Sequence, residues 1–372
     1  MTTTTVHGRA EEIAADYRRL APTPPLHESI GWLRYCDRRS RGGMRYIAAW
    51  DDSGRMSGLM ALRRTGDESE ASTNYDVVAQ VWPGGSPPLP RKDFYPQLFA
   101  ATSGARCLFT AADARTRAAL VRKAAALADT EDALLTIAYL PDENLAAETA
   151  ASVGEQHALI GAETRLDVTW SDFDGYVASL RRQSRFNVRR ERRQYLESGL
   201  RTRIHHTTAS LGTRAAELHA QLMAKYGAGS TAESFLADFE DLAATVDEHV
   251  TVFEAERDGV LVGLCVCLRD GSTVHIRSVG FDYALAANDF IYFNLVFYEP
   301  ITWGLDHGVT SFCLGNGAFP AKRRRGARLD PLYGVVRWPA RVGDAGRAAL
   351  VDREQRARAD LGLPQLALIR RA

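Results

Sequence analysis

The run from residue 250 to residue 314 constrains this 372-residue chain more than any other. Three apolar stretches, 250–256, 260–268 and 273–279, are punctuated by Asp258 and Gly259 and then by Asp270 and Gly271, and Asp-Gly supplies the positive-φ residues of a tight hairpin. The spacing predicts three antiparallel strands in a meander. A long helix is expected next over 289–307, where Phe290, Phe293, Phe297, Ile301 and Leu305 recur at three- and four-residue intervals and offer one face to a sheet. Gly308 stops it, and 311–314 returns as a strand. Upstream, 201–206 reads as a strand and 211–226 and 232–246 as helices, so the order is β-α-α-β-β-β-α-β.

The remaining length leaves room for a second domain, since domains of about 150 to 200 residues each bury a core of their own. With 45% hydrophobic residues, 25% charged residues and zero formal net charge, nothing global draws the chain to nucleic acid or membrane, and any such binding must come from local patches. The longest apolar run, 261–268, falls well short of the roughly 18 residues of a membrane span. The first six residues, Met1 to Val6, lack the basic and apolar regions of a signal peptide, so a cytoplasmic location is expected. Five cysteines, at 36, 107, 265, 267 and 313, include no Cys-x-x-Cys, and Cys265 and Cys267 alternate on an interior strand as reduced core thiols. Nine histidines include no His-Glu-x-x-His, and His205 and His206 point to opposite strand faces; no metal is expected.

In the first half, 10–20 and 27–38 read as helices broken by Pro22, Pro24 and Pro25, and 45–50 with 56–63 make a hairpin. Gly58-Leu59-Met60-Ala61-Leu62-Arg63 parallels the stretch beginning Gly263-Leu264-Cys265, which suggests an internal duplication. Strands are expected at 74–82, 106–110, 133–140 and 164–170, and helices at 91–102, 112–127 and 143–153. Gly84 and Gly85 sit among prolines that remove backbone donors, so a surface loop is expected there rather than an anion cradle. Helix and strand alternate, giving an α/β half. The boundary falls near Ser171, for domains 1–170 and 171–372.

Residues 172–198 are predicted as one helix, with Phe173, Tyr176, Val177 and Leu180 as its apolar stripe and Gly199 as its stop. Seven arginines, at 181, 182, 185, 189, 190, 192 and 193, face one acid, Glu191. Like charges at this spacing repel, and an anionic partner would relieve them; a solvated face paired with acids elsewhere is the alternative. Arginine binds phosphate in a fixed bidentate fork, which makes Arg181, Arg182, Arg185, Arg189, Arg190 and Arg193 candidates for a phosphate-rich partner. A second basic cluster, Lys322 to Arg328, follows Gly315, Asn316, Gly317 and Ala318 directly after a strand, where α/β sheets usually hold ligands.

The element order and several residue groups resemble the FemAB-like branch of the GNAT acyltransferases. The resembling residues are Phe94 to Leu98; Ser184 to Arg193; Arg277 with Gly280; Phe293 with Tyr298, Glu299, Pro300 and Ile301; and Gly308, Phe312, Gly315, Lys322, Arg325 and Gly326. The resemblance implies an α/β tandem of two GNAT-like domains, each with a mixed, largely antiparallel central sheet flanked by helices. It also implies transfer of an acyl or aminoacyl group to an amine, with no metal or bound organic cofactor. Asn294 departs from the family's tendency to place an acid there, and 315–322 departs from its Gln, Glu and His, which implies a reshaped pocket.

GNAT enzymes that use acetyl-CoA hold its pyrophosphate on a glycine-containing loop before the long helix. Here 281–290 contains no glycine and two acids, Asp282 and Asp289, which speaks against a conventional CoA site. FemAB-type enzymes take the acyl group from aminoacyl-tRNA, whose polyanionic carrier suits the arginine helix. The expected function is therefore transfer of an aminoacyl group from aminoacyl-tRNA to a small-molecule or amino-acid-like amine, in specialised metabolism. An acyl-CoA or carrier-protein thioester as donor, and a non-catalytic RNA-binding protein, are the alternatives. Tyr298 and Glu299 are the expected proton donor or acceptor, and Lys322 or Arg325 the group that neutralises the oxyanion or leaving group. Backbone N–H groups of Ser278 and Val279 would assist, and His275, Arg277, Asn294 and Asn316 would bind substrate.

Overall fold

The computed structural model describes residues 2–70, 76–82, 87, 89–101, 107–225, 231–286 and 289–365. Gly84 and Gly85 lie outside them. The chain packs as two units, Met1–Ala162 with Asp330–Ala372, and Glu163–Leu329. The segment from Asp330 onward, expected with the second half, thus belongs to the first.

In the first unit the strands are β1 (Thr3–His7), β2 (Met44–Trp50), β3 (Met56–Thr65), β4 (Gln97–Ala100), β5 (Phe109–Ala111), β6 (Leu134–Leu140) and the first part of β7 (His157–Asp167). The helices are α1 (Ala10–Leu20), α2 (Ile30–Ser40), α3 (Val77–Val81), α4 (Ala114–Thr130) and α5 (Glu143–Ala151). β1 to β4 run antiparallel in order, β6 joins parallel to β4, and a late strand, Arg328–Arg337, lies antiparallel to β6. That late strand places Val335 and Val336 in the core of this unit, so burial of its apolar face assigns the C-terminal segment here. The strand expected over 74–82 is instead a short helix where it is described. Asp76 caps it by accepting from Val78 N at 3.0 Å, and Gln97 Oε1 accepts from Val77 N at 3.1 Å. The helix expected over 91–102 is a 3₁₀ turn, Arg91–Phe94, followed by β4: Pro96 would fall in the helix interior, and Gln97–Ala100 is buried along its length in the sheet.

The second unit holds α6 (Phe173–Ser179), α7 (Arg182–Glu197), β8 (Arg201–His205), α8 (Thr213–Lys225), α9 (Ala232–Val246), β9 (Val250–Arg257), β10 (Val260–Asp270), β11 (Thr273–Phe281), α10 (Tyr283–Ala286), α11 (Ile291–Phe293), a π-helical turn (Asn294–Tyr298), α12 (Glu299–Asp306), β12 (Ser311–Cys313) and α13 (Phe319–Arg323). The predicted meander is present. β8 to β11 run antiparallel in order, β12 joins parallel to β11, and β7 lies antiparallel to β12. α8 lies directly on β11: a Cβ on Gly280 would stand 2.6 Å from the backbone nitrogen of His219, so only glycine permits that approach. The late strand is β13 (Arg328–Arg337), and α14 (Gly343–Leu361) follows it.

Two expected helices are broken. Residues 172–198 form α6 and α7 with Leu180 extended between them, its side chain buried in the core. Ser179 turns back to Tyr176 O at 2.7 Å, and the Arg185 guanidinium donates to Ala178 O at 3.2 Å, satisfying the end of α6. The helix expected over 289–307 begins at Ile291 and widens to a π turn over Asn294–Tyr298. Pro300 explains the widening, because it has no N–H for Val296 O and its ring crowds that carbonyl.

Candidate active site

β11 and β12 are paired only over Thr273↔Ser311, Val274↔Phe312 and His275↔Cys313. Beyond that point β11 continues to Phe281 beside β10, whereas the other strand follows β7, with Leu314 N donating to Thr164 O at 2.8 Å and Thr164 N to Gly315 O at 3.1 Å. The two strands part, and a wedge opens in the sheet. His275 sits at its base, and Ser278 and Val279 lie further along the β11 side. On the other side Gly315, Gly317 and Ala318 all take positive φ, which turns the chain into α13 and places Lys322 back against the strand end.

Lys322 is 5% exposed. Its ammonium donates to Leu314 O at 2.5 Å and Gly315 O at 3.2 Å. Burial pushes its pKa down to about 8, with the Glu163 carboxylate pulling the other way. A primary amine that changes protonation near neutral pH, held by carbonyls at a strand terminus, can hold or release a proton there.

Tyr298 and Arg325 meet in a second cluster with Glu191, on the buried side of α7. The Tyr298 hydroxyl donates to Glu191 Oε2 and accepts from Arg325 Nε at 3.1 Å, and an Arg325 terminal nitrogen donates to the same Oε2 at 2.7 Å. The Arg325 guanidinium also lies 3.3 Å from the centre of the Phe293 ring. Burial holds the tyrosine hydroxyl far above the usual phenol range. Arg192 forms the adjoining layer, donating to Asn294 Oδ1 at 3.1 Å and Glu299 Oε1 at 2.6 Å, while Thr202 adds a bond to Glu299 at 3.1 Å. Asn294 donates to Phe290 O at 3.0 Å and Glu191 O at 3.3 Å. The polar residues of the broken helix are therefore tied to α7 and, through Arg325, to the turn just after α13. Glu191 and Arg192 stand out in the sequence only as part of the charge run and carry no expected site role there, although Val188, Glu191 and Tyr195 share the spacing of one buried helix face.

The opposite face of α7 is different. Arg181, Arg182, Arg189, Arg190 and Arg193 are exposed and Arg185 is half-buried. Among the described residues none of the five exposed arginines forms an ion pair, though the Arg190 guanidinium lies 5.5 Å from the Phe290 ring. Phe186 stands among them, 63% exposed. Of the other expected residues, Arg277 lies 3.6 Å from Asp238, and Asn316 is exposed on the loop after β12. Thus Tyr298 and Arg325 come together, Asn294 and Glu299 join them through Arg192, and His275 and Lys322 lie at the wedge. The exposed arginines lie on the outer face of α7.

Between β11 and the broken helix, Asp282 accepts from Ala284 N at 2.9 Å and Leu285 N at 3.0 Å, and from Arg214 at 2.5 Å. The Leu285 amide is the chief cause holding this carboxyl below its ordinary range. Asp289 pairs with Arg257 at 2.5 Å. Backbone amides that could hold an external anion here already serve a carboxylate of the chain.

The chain matches the model of the FemAB-like family, described as peptidoglycan biosynthesis and recognition, over residues 90–340. No curated protein matches it. It is similar in structure to FemX at TM-score 0.56 and 13% identity, over 89% of this chain and 96% of that one. It is also similar to the C-terminal domain of a putative lysylphosphatidylglycerol synthetase from Agrobacterium fabrum, at TM-score 0.54 and 12% identity over 91% and 95% of the two chains. A tandem GNAT protein from the clavulanic acid biosynthesis pathway gives 0.51 and 14% over 90% and 98%.

Proposed function

Because this chain belongs to the FemAB-like family of GNAT-fold acyltransferases, we propose that it transfers an aminoacyl group from aminoacyl-tRNA to the amine of a small-molecule or amino-acid-like acceptor. FemX and a lysylphosphatidylglycerol synthetase domain among the similar structures support aminoacyl transfer as the general reaction. The observation that carries the choice of donor is the outer face of α7, with five exposed arginines and no acid partner among the described residues. Such a face binds a phosphate backbone by releasing its counterions. The Asp282 cap argues against CoA, because it fills the amides on which a pyrophosphate would rest.

The acceptor amine, deprotonated, attacks the ester carbonyl; a C–N bond forms and the bond to the ribose oxygen breaks, with a proton delivered to that oxygen. Lys322, at the wedge and poised near neutral pH, is the proton-handling group in this reading. Tyr298, Glu191 and Arg325 hold α7, α13 and the broken helix in place, so they act as positioning residues. Glu299 and Asn294 do the same through Arg192.

The test is single-turnover transfer of radiolabel from a total charged tRNA pool to a cell extract, run beside labelled acetyl-CoA, with wild type and Arg189→Ala/Arg193→Ala. Label should move from tRNA alone. The double variant should bind tRNA more weakly, and the slope of log affinity against log salt should fall by about 0.9 for each phosphate no longer neutralised. Label arriving from acetyl-CoA, or a salt slope unchanged in the variant, overturns the reading.

A further inference from the structure

The base of the wedge carries chemistry that the transfer reaction does not use. Glu163 on β7, His275 on β11 and Cys313 on β12 each offer a ligand atom, and the three atoms lie within 4.8 Å of one another. Register explains how they meet. Cys313 pairs with His275 on one side and with Arg165 on the other, and residues opposite one another on neighbouring strands point to the same face. Glu163 is two residues from Arg165 on the same strand, so it shares that face. Glu163 is 8% exposed, Cys313 is 2% exposed, and His275 is half-buried.

We infer that Glu163, His275 and Cys313 form a binding site for a single Zn²⁺ ion. The donor set is one thiolate sulfur, one imidazole nitrogen and one carboxylate oxygen, a mixture that suits a borderline-soft ion and is poor for Mg²⁺ or Ca²⁺, which prefer all-oxygen shells. Three protein ligands leave one tetrahedral position open to a water-sized ligand. The ligands come from three adjacent strands of one sheet, which is a rigid support for fixed coordination geometry. A thiolate and a carboxylate together supply two negative charges, which the ion neutralises. Arg165 lies 3.8 Å from the Glu163 carboxylate. A nucleophilic role for the thiol is the weaker reading, because a side chain 2% exposed gives a substrate carbonyl no approach.

The site was not legible as a motif. Residues 163, 275 and 313 lie more than a hundred and nearly forty positions apart in turn, and strand pairing alone brings them together.

The experiment uses the full chain, freed of metal with a chelator and dialysed. Zinc sulfate is titrated in competition with a chromophoric chelator, and bound zinc is counted by elemental analysis after gel filtration. Wild type should hold one equivalent. Cys313→Ser and His275→Gln should each weaken binding by at least about tenfold, the loss that even an outer-shell substitution brings to a zinc site. His249→Gln, outside the cluster, should leave it unchanged. Co²⁺ added to the stripped wild type should give a thiolate-to-cobalt charge-transfer absorption, which needs no variant to fold. Less than a tenth of an equivalent in wild type, no charge-transfer band, or equal affinity in Cys313→Ser overturns the inference. None of these readings involves RNA or acyl transfer, so the zinc site and the proposed donor stand or fall separately.

Discussion

The two units share one sheet plan and differ in the helix laid across it. In each, four antiparallel strands come first, a fifth joins parallel to the fourth, and a sixth, drawn from elsewhere in the chain, closes the row antiparallel to the fifth. The third strand of each carries a glycine beneath the helix. A Cβ on Gly58 would lie 2.7 Å from Thr116 and 3.0 Å from Leu120 of α4, and one on Gly263 would lie 2.7 Å from Ile291 and 3.1 Å from Leu295. The crossing helices then diverge. α4 is continuous, and its buried face is apolar apart from Thr116, with Leu120, Val121, Ala124, Ala125 and Ala128. The helix of the second unit is interrupted by its π turn and buries Asn294 and Tyr298 as well as Leu295 and Phe297. One copy of the plan is a packing solution. The other carries buried polar groups held in fixed positions, which is what a reactive site needs.

The largest effect should come from breaking the buried Glu191–Arg325 pair, which among the described residues has no counterpart beneath the crossing helix of the first unit. Glu191→Ala strands Arg325 in the core and should cost about 3–5 kcal/mol in denaturant unfolding. Replacing Glu191 and Arg325 together with methionine should recover most of that loss, since no charge is then left unpaired. If Glu191→Ala costs under about 1 kcal/mol, the cluster does not hold the unit together.

A smaller effect is expected at Lys322. Its pKa is lowered from 10.5 to about 8 in the folded chain, so between those values the unfolded chain binds the extra proton and stability rises with pH. Below pH 8 both states are protonated and the full cost of burying the ammonium applies. Lys322→Met should therefore gain ~1–3 kcal/mol near pH 7, the shift less what the ammonium's hydrogen bonds return, and should flatten the rise between pH 8 and 10.5. Among the described residues the first unit buries no lysine, so it supplies no comparable slope. Equal pH profiles for wild type and variant would mean that the amine is not desolvated.

What the sequence revealed and what it hid follow the same division. The meander, α8 and α9 were readable because hairpin glycines and three- to four-residue periods are local signals. The parallel Gly58 and Gly263 stretches were readable as repeats, whereas their common duty under a helix arises only where distant helices cross them. The π turn was signalled by Pro300, yet the aromatic spacing across it looked continuous, so a single helix was expected. β4 was hidden for the opposite reason: its four residues are too short to show a period, and their strand character comes from β6. Likewise the arginines of α7 were visible as charge, whereas Glu191, Tyr298 and Arg325 gain a shared role only when sequence separations of 107 and 134 are closed up.

The smallest expected effect tests the shared plan itself. Gly58→Ala and Gly263→Ala each place a methyl 2.7 Å from a side-chain carbon of the crossing helix, Thr116 in one unit and Ile291 in the other. Both contacts are with γ-methyls of stiff β-branched residues, which a small shift of the crossing helix must relieve, so each substitution should cost about 1–2 kcal/mol, within the usual overpacking range. Function should separate what stability does not. A shift of α4 moves an apolar face and should leave transfer unchanged apart from the loss of folded protein. A shift of Ile291 and Leu295 moves the π turn beside Asn294, and with it the bonds to Arg192 and Glu191, so Gly263→Ala should lower turnover at temperatures where the chain is fully folded. Matched unfolding costs with turnover lost only in Gly263→Ala would sharpen the comparison. Equal loss of turnover in both would break it, because the first unit's helix would then bear on the chemistry as directly as the second's.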